Sequence, residues 1–437
     1  MTTTLLAAEA ELSKQIGDYW TGTTTSDGAA GGTTLIDTAL KAKQNGWVTK
    51  ETYDMLTEES VSAADIYEER LVSSLDNSSG ALTVLAHGGK IESGINYRVH
   101  RLFSASAKRI ALVAAARRVF PFLHGSIWDE SLVSGNWLKD GSFEVWTSAT
   151  ALTHWTTSGS TLAQTSTSLY YEHGGYSCKQ STAVGYIQQS ISNFDDLKYL
   201  RGKAVTFSVR GWSDAASCLR ISINDGVNDE TYSSYHDGDS AWTKHSDPLK
   251  VTQVIADNAT DITFKIYHAV AAPGQASYVD DGRVISGHRG KLYIGNLGLA
   301  QDKPHKVEIE PTSYSQDEEW LGVRDYVVDG DGYLYIPTDY ATNRRLRIRG
   351  TGYLDFLASG VSSTDWTATI AIDSPQLDIL VAEAALYLYT TMALPNAESG
   401  EREAYQEMMA FWEKQSTTVK SKFRMKSPGV VIHWGVH

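Results

Sequence analysis

Between Lys203 and Trp212 the chain alternates residue by residue: Val205, Phe207 and Val209 against Ala204, Thr206 and Ser208. A period of two puts one set of side chains on one face of a strand, and a helix cannot satisfy it. The rhythm returns in Cys218-Leu-Arg-Ile-Ser-Ile223, in Ile262-Thr-Phe-Lys-Ile-Tyr267 and in Lys291-Leu-Tyr-Ile-Gly-Asn-Leu297. Turn-forming clusters part the runs: Asn224-Asp-Gly226, Asp237-Gly-Asp239 and Ala272-Pro-Gly274. Short half-buried strands with frequent turns predict a β-sandwich or jelly roll over residues 136–300.

The sequence on either side reads differently. Leu5, Ala8, Leu12, Ile16 and Tyr19 fall on one stripe of a predicted N-terminal helix. Thr34 to Ala39 reads as a short strand, and Thr49 to Glu69, rich in helix formers and acidic residues, is ambiguous. Leu71–Ser74 and Ala81–Leu85 flank a turn at Asn77-Ser-Ser-Gly80 and predict a hairpin. Asn96 to Leu102 reads as a strand. Ser104 is placed to cap a helix reaching Phe120, with Ala107, Ile110, Ala111, Ala114 and Val119 as its apolar face. Strands return at Lys306 to Pro311 and Asp325 to Ile336. In Arg344-Arg-Leu-Arg-Ile-Arg349, Leu346 and Ile348 face one way and the arginines the other. Such a row is either a solvated face or a contact for an acidic partner. Ser374-Pro375 predicts a helix start followed by apolar residues at helical spacing. Pro395 then separates this helix from a second, which carries Tyr405, Met408, Met409 and Trp412. A basic stretch ending at Lys426 leads through Pro428-Gly429 to an apolar end, Val430 to His437.

Composition bounds the function. At 437 residues two or three domains are expected, and a net charge of −14 argues against a general nucleic-acid binder. No stretch is apolar for the length of a membrane span. Met1-Thr-Thr-Thr-Leu-Leu lacks the basic start of a secretory signal, and with only two cysteines assembly in a reducing cytoplasm is expected. Two cysteines, Cys178 and Cys218, make no disulfide framework and read as small buried residues. No phosphate loop, His-Glu-x-x-His or nucleophile elbow occurs, so no enzymatic activity, cofactor or metal site is expected. Asp329-Gly-Asp-Gly332 reads as a turn, since Tyr340 stands where a calcium loop needs glutamate.

Two stretches carry family resemblances. Asp140-Gly-Ser-Phe-Glu144, Leu200-Arg-Gly-Lys-Ala-Val-Thr-Phe-Ser208, Tyr232-Ser-Ser-Tyr-His-Asp-Gly-Asp-Ser-Ala-Trp242 and Leu292-Tyr-Ile-Gly-Asn-Leu-Gly-Leu299 resemble the motifs of jelly-roll carbohydrate-binding modules. The resemblance implies aromatic stacking on sugars, with Trp146, Trp155, Trp212, Tyr232, Tyr235 and Trp242 as candidates. Relatives that hold a structural calcium carry aspartate in the closing strand, where the resembling stretch of this chain has Gly295-Asn296.

The flanks resemble bacteriophage head-to-tail adaptor (neck or connector) proteins. The motifs are Thr33-Thr-Leu-Ile-Asp-Thr-Ala39 with Asn45-Gly-Trp47, Leu71 to Val84, Arg344 to Leu354, and Pro375 to Tyr389, in that order. Together these readings imply an α+β multidomain chain: a helical adaptor core with small β elements and an inserted all-β jelly-roll sandwich. The expected divisions are residues 1–125 and 306–426 for the core, 136–300 for the insert and 427–437 for a terminal arm. The resemblance implies a virion protein at the neck. Its expected partners are the portal, the tail or tail-terminator proteins, and further copies of itself in a ring of roughly twelvefold symmetry. DNA would only pass through. The arm residues Phe423, Arg424, Lys426, Val430, Val431, Ile432 and Trp434 are expected to dock on the portal. The alternative is a glycan- or receptor-binding virion protein, a decoration or fibre, acting through the jelly roll.

Overall fold

The computed structural model describes residues 2–58, 66–181, 184–269, 274–287, 289–310, 320–340, 344–358, 360–393, 395 and 400–426. The chain divides into a discontinuous unit, Met1–Gly125 with Tyr353–Ser427, and a unit over Ser126–Gly352. The boundaries between the units lie at Gly125 and Gly352.

The discontinuous unit corrects the expected helical core. Strand residues outnumber helical ones among the described residues, and this unit has a six-stranded antiparallel sheet with its own apolar core. In spatial order its strands are Trp20–Thr23, Asn96–His100, Tyr53–Leu56, Glu69–Asp76, Ala81–Val84 and Thr34–Ile36. Leu35, Leu56, Val72, Leu82, Tyr97 and Val99 are buried beneath it. Tyr53–Leu56 lies in the stretch that local propensity left ambiguous. It is held as a strand by Asn96–His100 on one side and Glu69–Asp76 on the other, and that non-local pairing outweighs propensity.

The helices of this unit form a second core. Leu5–Gln15 is capped by the Thr4 side chain, which accepts from the Ala7 N–H. Ala105–Arg118 is capped by Ser104. Leu377–Tyr387 and Arg402–Phe423 pack together as the expected hairpin. Leu377–Tyr387 starts without a side-chain cap, so Ser374 does not take the role its position predicts. The face of Ala105–Arg118 is also rotated from the one read in the sequence. Ile110 is 52% exposed, and Lys108 is fully buried in its place.

The second unit contains the sandwich. One sheet runs Thr156–Ser158, Gly185–Ile191, Ile262–His268, Leu219–Asn224, Thr231–Tyr232. The other runs Thr161–Thr165, Ser177–Ser181, Ala276–Ile285, Ala204–Ser213, Leu249–Val254. Every pairing is antiparallel. The period-2 residues meet between the sheets: Ile187, Ile221, Phe264 and Ile266 from the first, Val205, Phe207, Val209 and Val279 from the second, all fully buried. The Phe207 and Phe264 rings lie 5.5 Å apart, edge to face. Burial on this scale, about 1.5–3 kcal/mol for each side chain, explains why the alternation was so legible.

The strand that closes the sandwich is Ala276–Ile285, which corrects the assignment to Leu292–Leu299. Lys291–Tyr293 pairs instead with Tyr333–Tyr335 in a small three-stranded sheet. That sheet shares an apolar core with the neighbouring strands Lys306–Ile309 and Leu346–Gly352, built on Ile294, Val307, Leu334, Leu346 and Ile348. The Asp140-Gly-Ser-Phe-Glu144 motif straps onto the closing strand. A Cβ on Gly141 would lie 2.0 Å from the Gly282 carbonyl oxygen, so only glycine permits the approach. Cys178 and Cys218 are buried and are not joined in a disulfide.

Candidate functional site

On Gly185–Ile191 and Ile262–His268, the residues between the core positions point outward. Register then sets them side by side: Tyr186 lies opposite Tyr267, and Tyr267 opposite Arg220. The next row holds Gln188 opposite Lys265, and Ser222 opposite both Lys265 and Tyr232. The Tyr186 and Tyr267 rings are 5.3 Å apart, and those of Tyr232 and Tyr267 5.8 Å. The Arg220 guanidinium sits 4.0 Å from the Tyr232 ring and 4.7 Å from that of Tyr235. Tyr232 and Tyr235 are 41% and 37% exposed. The result is a face of four tyrosines with charged and amide groups between them. It offers flat apolar surfaces and directional donors together, as sugar rings require.

Glu230 ties the face together. Its Oε1 accepts from the Tyr267 hydroxyl at 2.7 Å and from the Ser222 hydroxyl at 2.5 Å, and its Oε2 lies 3.3 Å from the Lys265 ammonium. Burial works to raise its pKa. The hydrogen bonds from Ser222 and Tyr267, with the Lys265 charge, outweigh this and hold it below the ordinary glutamate range. Burial, then the bond to Glu230, pushes the Tyr267 phenol up. The arrangement is a fixed, ionised carboxylate that orients a tyrosine, and it lacks the raised pKa of a glycosidase acid.

At the edge of this sheet a cleft of about 550 Å³ opens between it and the small three-stranded sheet. Gln188 and Ser190 enter it from the outward row. Trp137, Lys139, His154, Arg289, Lys291 and Tyr293 are among its other lining residues.

Of the residues proposed from sequence, Tyr232 and Tyr235 belong to the tyrosine face. Trp155 is 5% exposed, and its Nε1 donates to the Asp140 carbonyl. Trp146 is half-buried and donates to Phe143. Trp212 is 7% exposed in a cluster with Tyr170 and Tyr278, against which Trp242 packs while donating to Leu169. These tryptophans brace loops and core; Tyr186, Tyr267 and Arg220 were missed. The signal was present, because the alternation that buries Phe264 and Ile266 must expose Lys265 and Tyr267.

Other candidate chemistry is accounted for within the fold. Arg347 donates to Glu130 at 2.6 Å and lies 4.1 Å from the Trp320 ring, while Arg349 lies 3.9 Å from that of Trp128. The arginine row is thus engaged within its own unit. Glu172, His173 and His245 bring ligand atoms within 4.8 Å of one another. Arg210 pairs with Glu172 at 3.0 Å, however, and Arg345 bonds His173, so guanidinium charge already occupies the place of a cation. Burial, then the Arg345 charge, lowers the His173 pKa to about 3.

The closing strand does carry aspartate, as Asp280-Asp281. Asp280 Oδ2 accepts from the Glu172 and His173 N–H groups and its Oδ1 from Asp281, while Glu144 accepts from Gly175 and Tyr176. Oxygens turned to amide donors do not form the oxygen cage that calcium takes, so as folded these residues do not fit the ion. In the terminal arm, Phe423 packs on the helical core, and Arg424 and Lys426 are exposed. Val430, Val431, Ile432 and Trp434 lie outside the described residues.

No protein-family model matches the chain, and no curated protein does. Solved structures similar to it include a family-61 carbohydrate-binding module in complex with β-1,4-galactotriose. That match has 13% identity and a TM-score of 0.27, and covers 35% of this chain and 98% of that one. A xylan-binding domain from Paenibacillus barcinonensis matches at 16% identity and a TM-score of 0.26, over 37% of this chain and 97% of that one. The enzymatically active domain of tailspike protein 4 from bacteriophage CBA120 matches at 12% identity and a TM-score of 0.27. Here 35% of this chain aligns with 21% of that one. The chain is thus similar, over about a third of its length, to jelly-roll carbohydrate-binding modules and to part of a phage tailspike.

Proposed function

We propose that this protein binds a polysaccharide through the tyrosine face of its jelly-roll sandwich, as a glycan- or receptor-binding protein of a virion. The observation that carries the reading is the in-register row Tyr186, Tyr267, Arg220, flanked by Tyr232 and Tyr235. Tyrosines clustered on one face beside a fixed carboxylate support that reading. The association with a virion rests on the resemblance of the flanks alone. Anchoring on a portal, in a ring with further copies, is part of the same proposal. A native mass of the portal-bound protein would show one copy for each portal chain.

Glycan-array binding followed by calorimetry on the full chain tests the face. Tyr186→Ala and Tyr267→Ala are each expected to weaken binding about tenfold or more, the effect of losing a buried aromatic contact. The thermal transition should change little with Tyr186→Ala. Unchanged affinity in both variants would overturn the assignment of the face.

A further inference from the structure

We infer that the cleft beside the tyrosine face is a subsite for a carboxylate-bearing sugar, so that the glycan bound is an acidic polysaccharide. This rests on the proposed function and names its ligand class. The two regions are continuous. Tyr186, Gln188 and Ser190 stand outward on one strand, and the last two line the cleft. From Tyr186 to Ser190 is about 13 Å along the strand, so a single extended glycan can lie on both.

The charge of the cleft is the second argument. The Lys139 ammonium lies 5.2 Å from the Tyr293 ring, and that of Lys291 4.1 Å from the Tyr333 ring. Among the described residues neither has a carboxylate within 4.0 Å, whereas Arg289 is paired with Asp196 at 3.4 Å. Two ammonium groups resting on aromatic rings therefore enter the cleft without an ion pair within 4.0 Å among the described residues, Asp195 and Asp329 acting on Lys291 only from farther away, in a chain of net charge −14. Such local reversal of charge draws an anion from solution and rejects a neutral sugar only weakly.

The third argument is the set of polar atoms with no protein partner. Trp137, 6% exposed, has an unpaired Nε1, and His154 has an unpaired Nε2. Buried polar atoms ordinarily find partners, and both residues line the cleft. Burial, then the Lys139 charge, holds His154 neutral near pH 7. The cleft thus has Tyr293 as a stacking surface and two ammonium groups for a carboxylate, with the Trp137 indole and the neutral His154 imidazole in its walls.

The test uses the full chain with polygalacturonate and alginate, each compared with its esterified, uncharged form. The acid form is expected to bind at least about tenfold more tightly, the effect of one charge-assisted hydrogen bond. The preference should shrink at high salt. Lys139→Gln with Lys291→Gln should abolish it while the thermal transition stays in place. Equal binding of acid and ester, or a preference that survives the double variant, would overturn the inference. If uncharged glycans bind in a Tyr186-dependent way without that preference, the subsite falls and the tyrosine face stands. If no glycan of either kind binds, both fall.

Discussion

Replacing Lys108 by methionine is expected to destabilise the discontinuous unit by about 3–5 kcal/mol, the usual result of removing one partner from a buried ion pair. Lys108 is fully buried. Its Nζ lies 2.8 Å from Asp18 Oδ2, donates to the Ser13 hydroxyl at 2.8 Å, and sits 3.0 Å from His100 Nδ1 and 3.8 Å from Glu9. Asp18 also accepts from the backbone N–H groups of Arg101, Leu102 and Phe103, and so fixes the turn into the helix that carries Lys108. Glu9 is shared by Arg98 and Ser13. Without the ammonium, the Asp18 carboxylate stays behind, buried and short of its cation. His100 supplies an independent readout. Burial, then the charges of Lys108 and Arg98, holds its pKa well below the ordinary range. Removing Lys108 should move its titration upward in an NMR pH series. Denaturant unfolding measures the stability change. A loss under about 1 kcal/mol with an unmoved His100 would show that the network does not carry the unit.

The sandwich should lose stability as pH rises from about 5 to 8. Burial raises the Glu144 carboxyl to about 8 and those of Asp140 and Asp280 to about 7, against the amide donors each accepts from. Neighbouring carboxylates add to the rise for Glu144. In the unfolded chain these groups titrate near 4. Between the two values the folded state holds more protons than the unfolded one. Stability is therefore complete below about pH 4 and falls through the window up to about 8. At about 1.4 kcal/mol for each pH unit, the rise of Glu144 from its ordinary value of 4.5 to about 8 contributes on the order of 5 kcal/mol. Glu144→Gln keeps an acceptor for the Gly175 and Tyr176 N–H groups without the charge. It should raise the transition at pH 8 and flatten the pH dependence. Calorimetry across pH 5–8 measures this, and a transition temperature rising with pH in the parent chain would contradict the assignment.

The predicted β-sandwich, its core alternation and the flanking hairpin were legible because each is a local repeat. A period of two at Val205, Phe207 and Val209 is enforced by a single buried face, whatever partners the strand finds. The Ser104 cap is local in the same sense. Relations between distant segments were not legible. Tyr53–Leu56 is a strand only because Asn96–His100 and Glu69–Asp76 bracket it. Lys108 is inside because Asp18 and Glu9 arrive from elsewhere in the chain to neutralise it, and Ile110 is outside as a consequence. The closing strand was placed on a run with the right rhythm, but Lys291–Tyr293 pairs outside the sandwich.

The site divides in the same way. The sequence by itself determined which residues of each strand face outward, and so made Tyr186, Tyr267 and Arg220 available to solvent. It could not say that they meet, because register is decided by the packing of whole sheets, and a one-residue slip would exchange the faces. The tryptophans were the conspicuous aromatics in the sequence. The tertiary structure spent them on bracing loops and core, because an indole buries the most apolar area and its single N–H is satisfied by one carbonyl.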